Sequence, residues 1–81
     1  MSAIRDDQLP NVSAFMNDFW KKLVKPCYNP EEGDSYWNDV FVRVDLLSKK
    51  YCQEDKRLQK ILAAFAQSLD AVRKEQNGRT D

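Results

Sequence analysis

The chain has 81 residues, of which 42% are hydrophobic and 32% are charged, and its 13 basic and 13 acidic side chains cancel. This length allows one small domain, and the composition is typical of a folded chain rather than a disordered one. A net charge of zero excludes the strongly basic surface of a general nucleic-acid binder. No stretch resembles a signal peptide or stays apolar over the roughly 18 residues of a membrane span, so we expect a cytoplasmic protein.

The first predicted element is an amphipathic helix over residues 11–25, since apolar side chains recur there at steps of three and four. Asn11 is its expected N-cap, with Ser13 as the alternative, and lysines crowd its last turn, where the helix dipole favours positive charge. A proline disfavours helical geometry in the residue before it, so Pro26 is expected to end this helix near Lys25. The residues predicted to face the core are Val12, Phe15, Met16, Phe19, Trp20, Leu23 and Val24.

The stretch KPCYNPEEGDSYW, residues 25–37, follows this helix and holds two of the chain's three prolines. Its carboxylates lack the alternating spacing of a calcium loop, and they suit the N-terminus of the next helix, where the dipole favours negative charge. The alternative to a simple helix cap is an acidic turn that docks on a basic surface of a partner, even one that normally grips nucleic acid. The residues of this predicted acidic turn are Tyr28, Glu31, Glu32, Asp34 and Tyr36.

The second predicted helix covers residues 34–51, capped by Asp34 or Ser35. Its core face is predicted to hold Trp37, Val40, Phe41, Val44, Leu47 and Tyr51. Val42 and Leu46 lie off this stripe, either because the helix is central and touches neighbours on both sides, or because they contact a second copy or another protein. Both explanations require Leu46 to be at least partly buried in the working form. The residues of this predicted helix–helix interface are Asp39, Val42, Arg43 and Leu46.

The third predicted helix covers residues 54–76, with acidic residues in its first turn and a mobile tail at 78–81. Alanines raise the helix propensity around its apolar stripe, which consists of Leu58, Ile61, Leu62, Phe65, Leu69 and Val72. Connections of roughly eight and three residues favour antiparallel neighbours. The expected fold is therefore all-α, a small three-helix bundle in up-down-up order.

The two cysteines and the absence of histidine limit the chemistry. Cys27 and Cys52 follow the first and second helices, which places them at opposite ends of the bundle, about 24 Å apart. Since a disulfide needs Cα atoms within about 7 Å, two free thiols are expected. Without histidine the chain lacks the commonest general base and a frequent metal ligand. We predict no catalytic residue, no cofactor and no metal site, and hence no enzyme.

Positive charge concentrates between residues 49 and 60. Cations at this end suit the C-terminus of the second helix, although they are also able to contact phosphates. The residues of this alternative basic patch are Lys49, Lys50, Lys56, Arg57 and Lys60.

Four stretches, FWKKL, CYNPEEGDSYW, LLSKKY and LQKILAAFAQSL, lie between residues 19 and 69. Their pattern resembles small all-helical accessory proteins of unknown function from bacterial prophages and conjugative elements. The resemblance implies no shared catalytic residue and no cofactor. It implies a mobile genetic element, whose accessory proteins often bind and block a host defence or regulatory protein, as anti-CRISPR proteins do.

We therefore expect a non-enzymatic protein-binding module, acting as an inhibitor or as a homodimer. One alternative is a DNA-associated accessory factor that uses the basic patch, although direct nucleic-acid binding is not favoured. The other is a purely structural, homodimerising helical protein.

Overall fold

The computed structural model describes the backbone of residues 2–78 and the side chains of residues 2–76, and this part of the chain is helical, with no strand. Its helical segments are α1 (Leu9–Phe19), a π-helical segment (Trp20–Val24), α2 (Lys25–Cys27), α3 (Asp34–Tyr51) and α4 (Lys56–Gly78). The first three segments are continuous, because the backbone stays right-handed helical at both junctions. We call residues 9–27 the first helix. The all-α prediction with three helices is confirmed.

The first helix is longer than predicted at both ends. Gln8 is its N-cap, and Pro10 lies in the first turn. The N–H groups of the first turn have no partner within the helix, so the missing N–H of a proline costs no hydrogen bond there. Asn11 is therefore not the cap; its side-chain Nδ2 instead donates a hydrogen bond to the Tyr51 carbonyl at 3.2 Å. Lys25 keeps helical backbone angles, φ −61° and ψ −49°, so the prediction that Pro26 ends the helix is wrong.

A widened turn accommodates Pro26 inside the first helix. The N–H of Lys25 bonds to the Trp20 carbonyl, five residues earlier instead of four. In a regular α-helix the ring of Pro26 would clash with the Lys22 carbonyl, and a π-helical turn relieves this clash. Because Pro26 has no N–H for that carbonyl, Nη1 of Arg43 in α3 donates to it at 2.7 Å. The proline is therefore tolerated through a contact between two helices.

The ends of α3 and α4 depend on residues just outside them. α3 spans the predicted range 34–51, but its N-cap is Gly33, whose φ of 105° lies in the left-handed region that favours glycine. α4 begins two residues later than predicted, since Oδ1 of Asp55 accepts a hydrogen bond from the N–H of Arg57 at 3.1 Å and so caps the helix. Beyond the helical Gly78, the predicted mobile tail lies outside the described residues.

Aromatic contacts join the first helix to both of the others. The rings of Phe15 and Phe19 stack at 5.5 Å. Phe15 also meets Tyr51 of α3 edge to face at 5.7 Å, and Phe19 meets Phe65 of α4 in the same way at 5.6 Å. The buried core around these rings consists of Phe15, Leu23, Cys27, Val40, Leu47, Tyr51, Cys52, Leu58, Leu62 and Leu69.

Both cysteines belong to this core. Cys27 and Cys52 are free and buried, as predicted for two separate thiols. Burial raises the pKa of both thiols, because a thiolate is poorly solvated there. Their burial is typical of cysteines that serve as small packing residues.

Four residues predicted to face the core are exposed instead: Met16, Trp20, Phe41 and Val72. The molecule measures 51 × 26 × 18 Å. With only three helices, each has two neighbours at most and keeps one side open to solvent. The apolar arcs of the helices are therefore wider than their neighbours are able to cover.

Candidate functional site

The outer face of α3 carries an uncovered apolar pair. Val42 is 56% exposed and Leu46 is 62% exposed, and they stand four residues apart on one side of the helix. The explanation that neighbouring helices bury both residues is therefore wrong for the single chain. The predicted interface, Asp39, Val42, Arg43 and Leu46, lies on this side, which we call the outer face of α3.

A groove of about 440 Å³ lies beside Leu46, between α3 and the first helix. Its lining combines two leucines with four cations and one carboxylate: Asp18, Lys22, Arg43, Leu46, Leu47, Lys49 and Lys50. We call it the α3 groove. The two leucines suit an apolar side chain of a partner, and each of the four cations is paired with a carboxylate of the chain itself, so the rim of the groove is polar.

Asp18 organises one wall of the α3 groove. The hydroxyl of Tyr51 donates a hydrogen bond to its carboxylate, and Nζ of Lys22 and Nζ of Lys50 lie 3.7 and 3.6 Å from it. The Tyr51 hydrogen bond, helped by the two lysines, lowers the pKa of Asp18. The same hydrogen bond raises the pKa of Tyr51, since a phenolate beside this carboxylate is disfavoured. The Asp18 carboxylate is therefore held ionised between two helices.

Arg43 is fixed in place on the opposite wall. Its Nε donates to the Asp39 carboxylate at 2.9 Å, and its Nη1 donates to the Lys22 carbonyl at 2.7 Å. These two bonds hold the guanidinium in one position before any partner arrives, which lowers the entropy lost on binding. Within the predicted interface the charged residues are thus anchored, while Val42 and Leu46 are uncovered.

The acidic turn is divided by the structure. Tyr28 is 66% exposed, and the three carboxylates Glu31, Glu32 and Asp34 also face solvent. Tyr36 is half-buried: its hydroxyl donates to the Cys27 carbonyl at 2.7 Å, and its ring meets Trp37 edge to face at 4.8 Å. Burial raises the pKa of Tyr36. Tyr36 therefore ties α3 to the end of the first helix, and the carboxylates remain on the surface.

The basic patch is largely neutralised by the chain's own carboxylates. Lys49 pairs with Asp45 at 2.9 Å, and Arg57 pairs with Asp55 at 2.8 Å. Lys50 faces the Asp18 carboxylate, whereas Lys56 and Lys60 are exposed on α4. Paired cations attract phosphates less strongly than free ones, so this arrangement weakens the case for a nucleic-acid surface.

Two groove residues were missed in the sequence, Asp18 and Lys22. Their spacing of four residues is typical of a helical ion pair, which is a signal that was available. Their position beside α3 was not available, because it depends on how the two helices pack. Phe41, 64% exposed, was misplaced in the core; it lines a smaller groove of about 250 Å³ between α3 and α4.

No group of three or more histidine, cysteine, aspartate or glutamate side chains within residues 2–76 is arranged to hold a metal ion. Over the described part of the chain, none of the helices combines the length and apolar character needed to cross a bilayer. Comparison with protein-family models, curated proteins and solved structures gives no match.

Proposed function

We propose that this chain is a non-enzymatic protein-binding module, a three-helix bundle in up-down-up order that presents the outer face of α3 to another protein. The observation that carries the proposal is the exposure of Val42 and Leu46 beside a groove rimmed by cations. Because both side chains are already partly covered, burying each contributes less than the roughly 1.5–3 kcal/mol of a fully exposed valine or leucine, and this gain favours association.

Contacts between helix ends support the up-down-up order. Tyr36, near the start of α3, contacts Cys27 at the end of the first helix, whereas the Tyr51 carbonyl at the other end of α3 accepts from Asn11. The Arg73 guanidinium in the last part of α4 lies 5.3 Å from the Trp37 ring centre near the start of α3. Such pairing of starts with ends is what antiparallel neighbours produce.

A module of this kind acts by occupying a surface of its partner. The resemblance to accessory proteins of prophages and conjugative elements supports a role as an inhibitor of a host defence or regulatory protein. The exposed carboxylates of the acidic turn, Glu31, Glu32 and Asp34, lie apart from the cation-rimmed groove and favour a partner that is basic where it meets this turn, because opposite charges accelerate association.

The test is a pull-down from a lysate of the native host, with and without nuclease, using the wild type, Leu46→Glu and Ala64→Glu. Ala64 is exposed on α4, so Ala64→Glu adds the same charge away from the outer face of α3. We expect nuclease-resistant protein partners with the wild type and Ala64→Glu, and their loss with Leu46→Glu. Circular dichroism checks that all three chains are equally helical.

Two results would contradict the proposal. If Leu46→Glu retains the same partners, the outer face of α3 is not the docking surface. If every partner disappears after nuclease treatment, the DNA-associated alternative is favoured instead.

A further inference from the structure

We infer that the chain docking on the outer face of α3 is a second copy of this protein, with the two α3 helices antiparallel. The inference rests on the proposed function: in the absence of another protein, the same surface binds a second copy. The order of charged and apolar residues along this face supports a second copy as the partner.

That order is a carboxylate, an apolar pair with Arg43 between its two members, and then two lysines. Counted from residue 44, Val42 and Leu46 lie two positions to either side, and Asp39 and Lys49 lie five positions to either side. Lys50 follows one residue further along. The face is therefore self-complementary when one copy is turned end over end about residue 44.

The rise of an α-helix sets the distances in such a pair. Five residues correspond to about 7.5 Å along the axis, so Asp39 of one copy reaches the level of the lysines of the other. Val42 and Leu46 meet their counterparts at the centre. A parallel arrangement would instead place Asp39 beside Asp39 and lysine beside lysine, which is repulsive.

The positions of these residues around the axis of α3 agree with their positions along it. At 100° per residue, Asp39, Leu46 and Lys50 lie on the same side of the face, so Asp39 meets Lys50 of a second copy rather than Lys49. Both residues are already exposed: the side chain of Asp39 is 50% exposed and that of Lys50 is 61% exposed. The contact therefore forms twice, once at each end of a two-fold interface.

The surroundings of the apolar pair suit this partner. Leu46 lines the α3 groove, so side chains of the second copy that cover Leu46 also enter the groove and approach Leu47. α3 has 18 residues and is about 27 Å long, which is sufficient for a helix-on-helix contact. The antiparallel arrangement also opposes the two helix dipoles favourably.

Sedimentation equilibrium of the purified 81-residue chain is the first test. We expect the wild type and Ala64→Glu to approach twice the chain mass of 9.5 kDa as concentration rises. Leu46→Glu should weaken the dimer at least tenfold, since it places a carboxylate in the apolar centre. A wild type that stays monomeric, or a Leu46→Glu dimer of unchanged strength, overturns the inference.

Charge reversal tests the antiparallel arrangement. Asp39→Lys and Lys50→Glu should each weaken the dimer, because each substitution places like charges opposite each other at both ends of the interface. The double variant, and an equimolar mixture of the two single variants, should both restore it. If the double variant is no stronger than the single ones, the antiparallel pairing is wrong.

Separate controls distinguish a folding defect from a weaker dimer, and this inference from the proposed function. Asp39 also pairs with Arg43, so Asp39→Lys could unfold the chain. In that case Asp39→Asn replaces it, because this change removes the charge at nearly constant size. We again expect a weaker dimer. Because the purified sample contains no other protein, a monomeric wild type overturns this inference alone. The proposed function is decided by the partners that Leu46→Glu loses or keeps in the pull-down.

Discussion

Asp18 is the residue at which the first helix and α3 share a charged hydrogen-bond network. Its side chain is only 16% exposed, and it accepts from the Tyr51 hydroxyl while facing two lysines. The ordinary pKa of this carboxyl is 3.8, and its surroundings lower it in the folded chain. Asp18 therefore stabilises the fold more when it is ionised than when it is protonated.

Asp18→Asn should lower the free energy of unfolding at pH 7 by about 1.5–3 kcal/mol, the range for hydrogen bonds to charged groups. As pH falls below 3.8, the unfolded carboxyl takes up its proton before the folded one, so the wild type loses this contribution. The variant has no such loss. Denaturant unfolding at pH 7 and across the acid range measures both effects.

The control for this prediction is Asp45→Asn, which removes an exposed carboxylate paired with Lys49. Exposed ion pairs contribute at most about 1 kcal/mol. The free energy of unfolding of Asp45→Asn should therefore fall at acid pH in the same way as that of the wild type. If Asp18→Asn instead behaves like Asp45→Asn, the buried network does not contribute to stability.

At the scale of the element, the π-helical segment is the feature that local rules did not anticipate. A proline followed by a turn was expected to end the helix, whereas the backbone widens and continues to Cys27. The guanidinium of Arg43 supplies the donor that Pro26 lacks, at the Lys22 carbonyl. The continuation of the first helix is therefore coupled to α3.

A double-mutant cycle of Arg43→Met and Pro26→Ala measures this coupling. In the wild type, Arg43→Met should cost about 1–2 kcal/mol, because the Lys22 carbonyl loses its donor. In the Pro26→Ala background the N–H of residue 26 takes over, so the same change should cost less. Loss of the Asp39 ion pair is common to both backgrounds and cancels. Equal costs within about 0.3–0.5 kcal/mol would show that the two sites are independent.

At the scale of the molecule, the other two helices leave one side of α3 open, where Val42 and Leu46 are exposed. A second copy on that side would make stability depend on concentration, because only the folded chain dimerises. When dimer predominates, each tenfold rise in concentration should raise the melting temperature of the wild type by about 3–5 °C. Leu46→Glu should show no such rise. Calorimetry over a range of concentrations measures both, and a wild-type melting temperature that ignores concentration would contradict a folded dimer.

The helices themselves were predictable because their signals are local. Residues 34–51 were predicted as one helix from the 3.6-residue period of their apolar side chains, and α3 has these bounds. The exposed Val42 and Leu46 were recognised as lying off the main stripe for the same reason. Periodicity depends on backbone geometry, which is the same wherever the helix packs.

The sequence by itself thus determined three helices, two unpaired cysteines and an apolar pair on the second long helix. Only the tertiary structure decided that Phe41 and Trp20 stay exposed, that Pro26 lies inside a helix, and that Asp18 reaches Tyr51. The physical reason is that these outcomes depend on which helices lie side by side and on how much of each helix's apolar surface its neighbours cover. Three helices are too few to bury every apolar side chain, and the surface left open on α3 is the one that we propose as the docking surface.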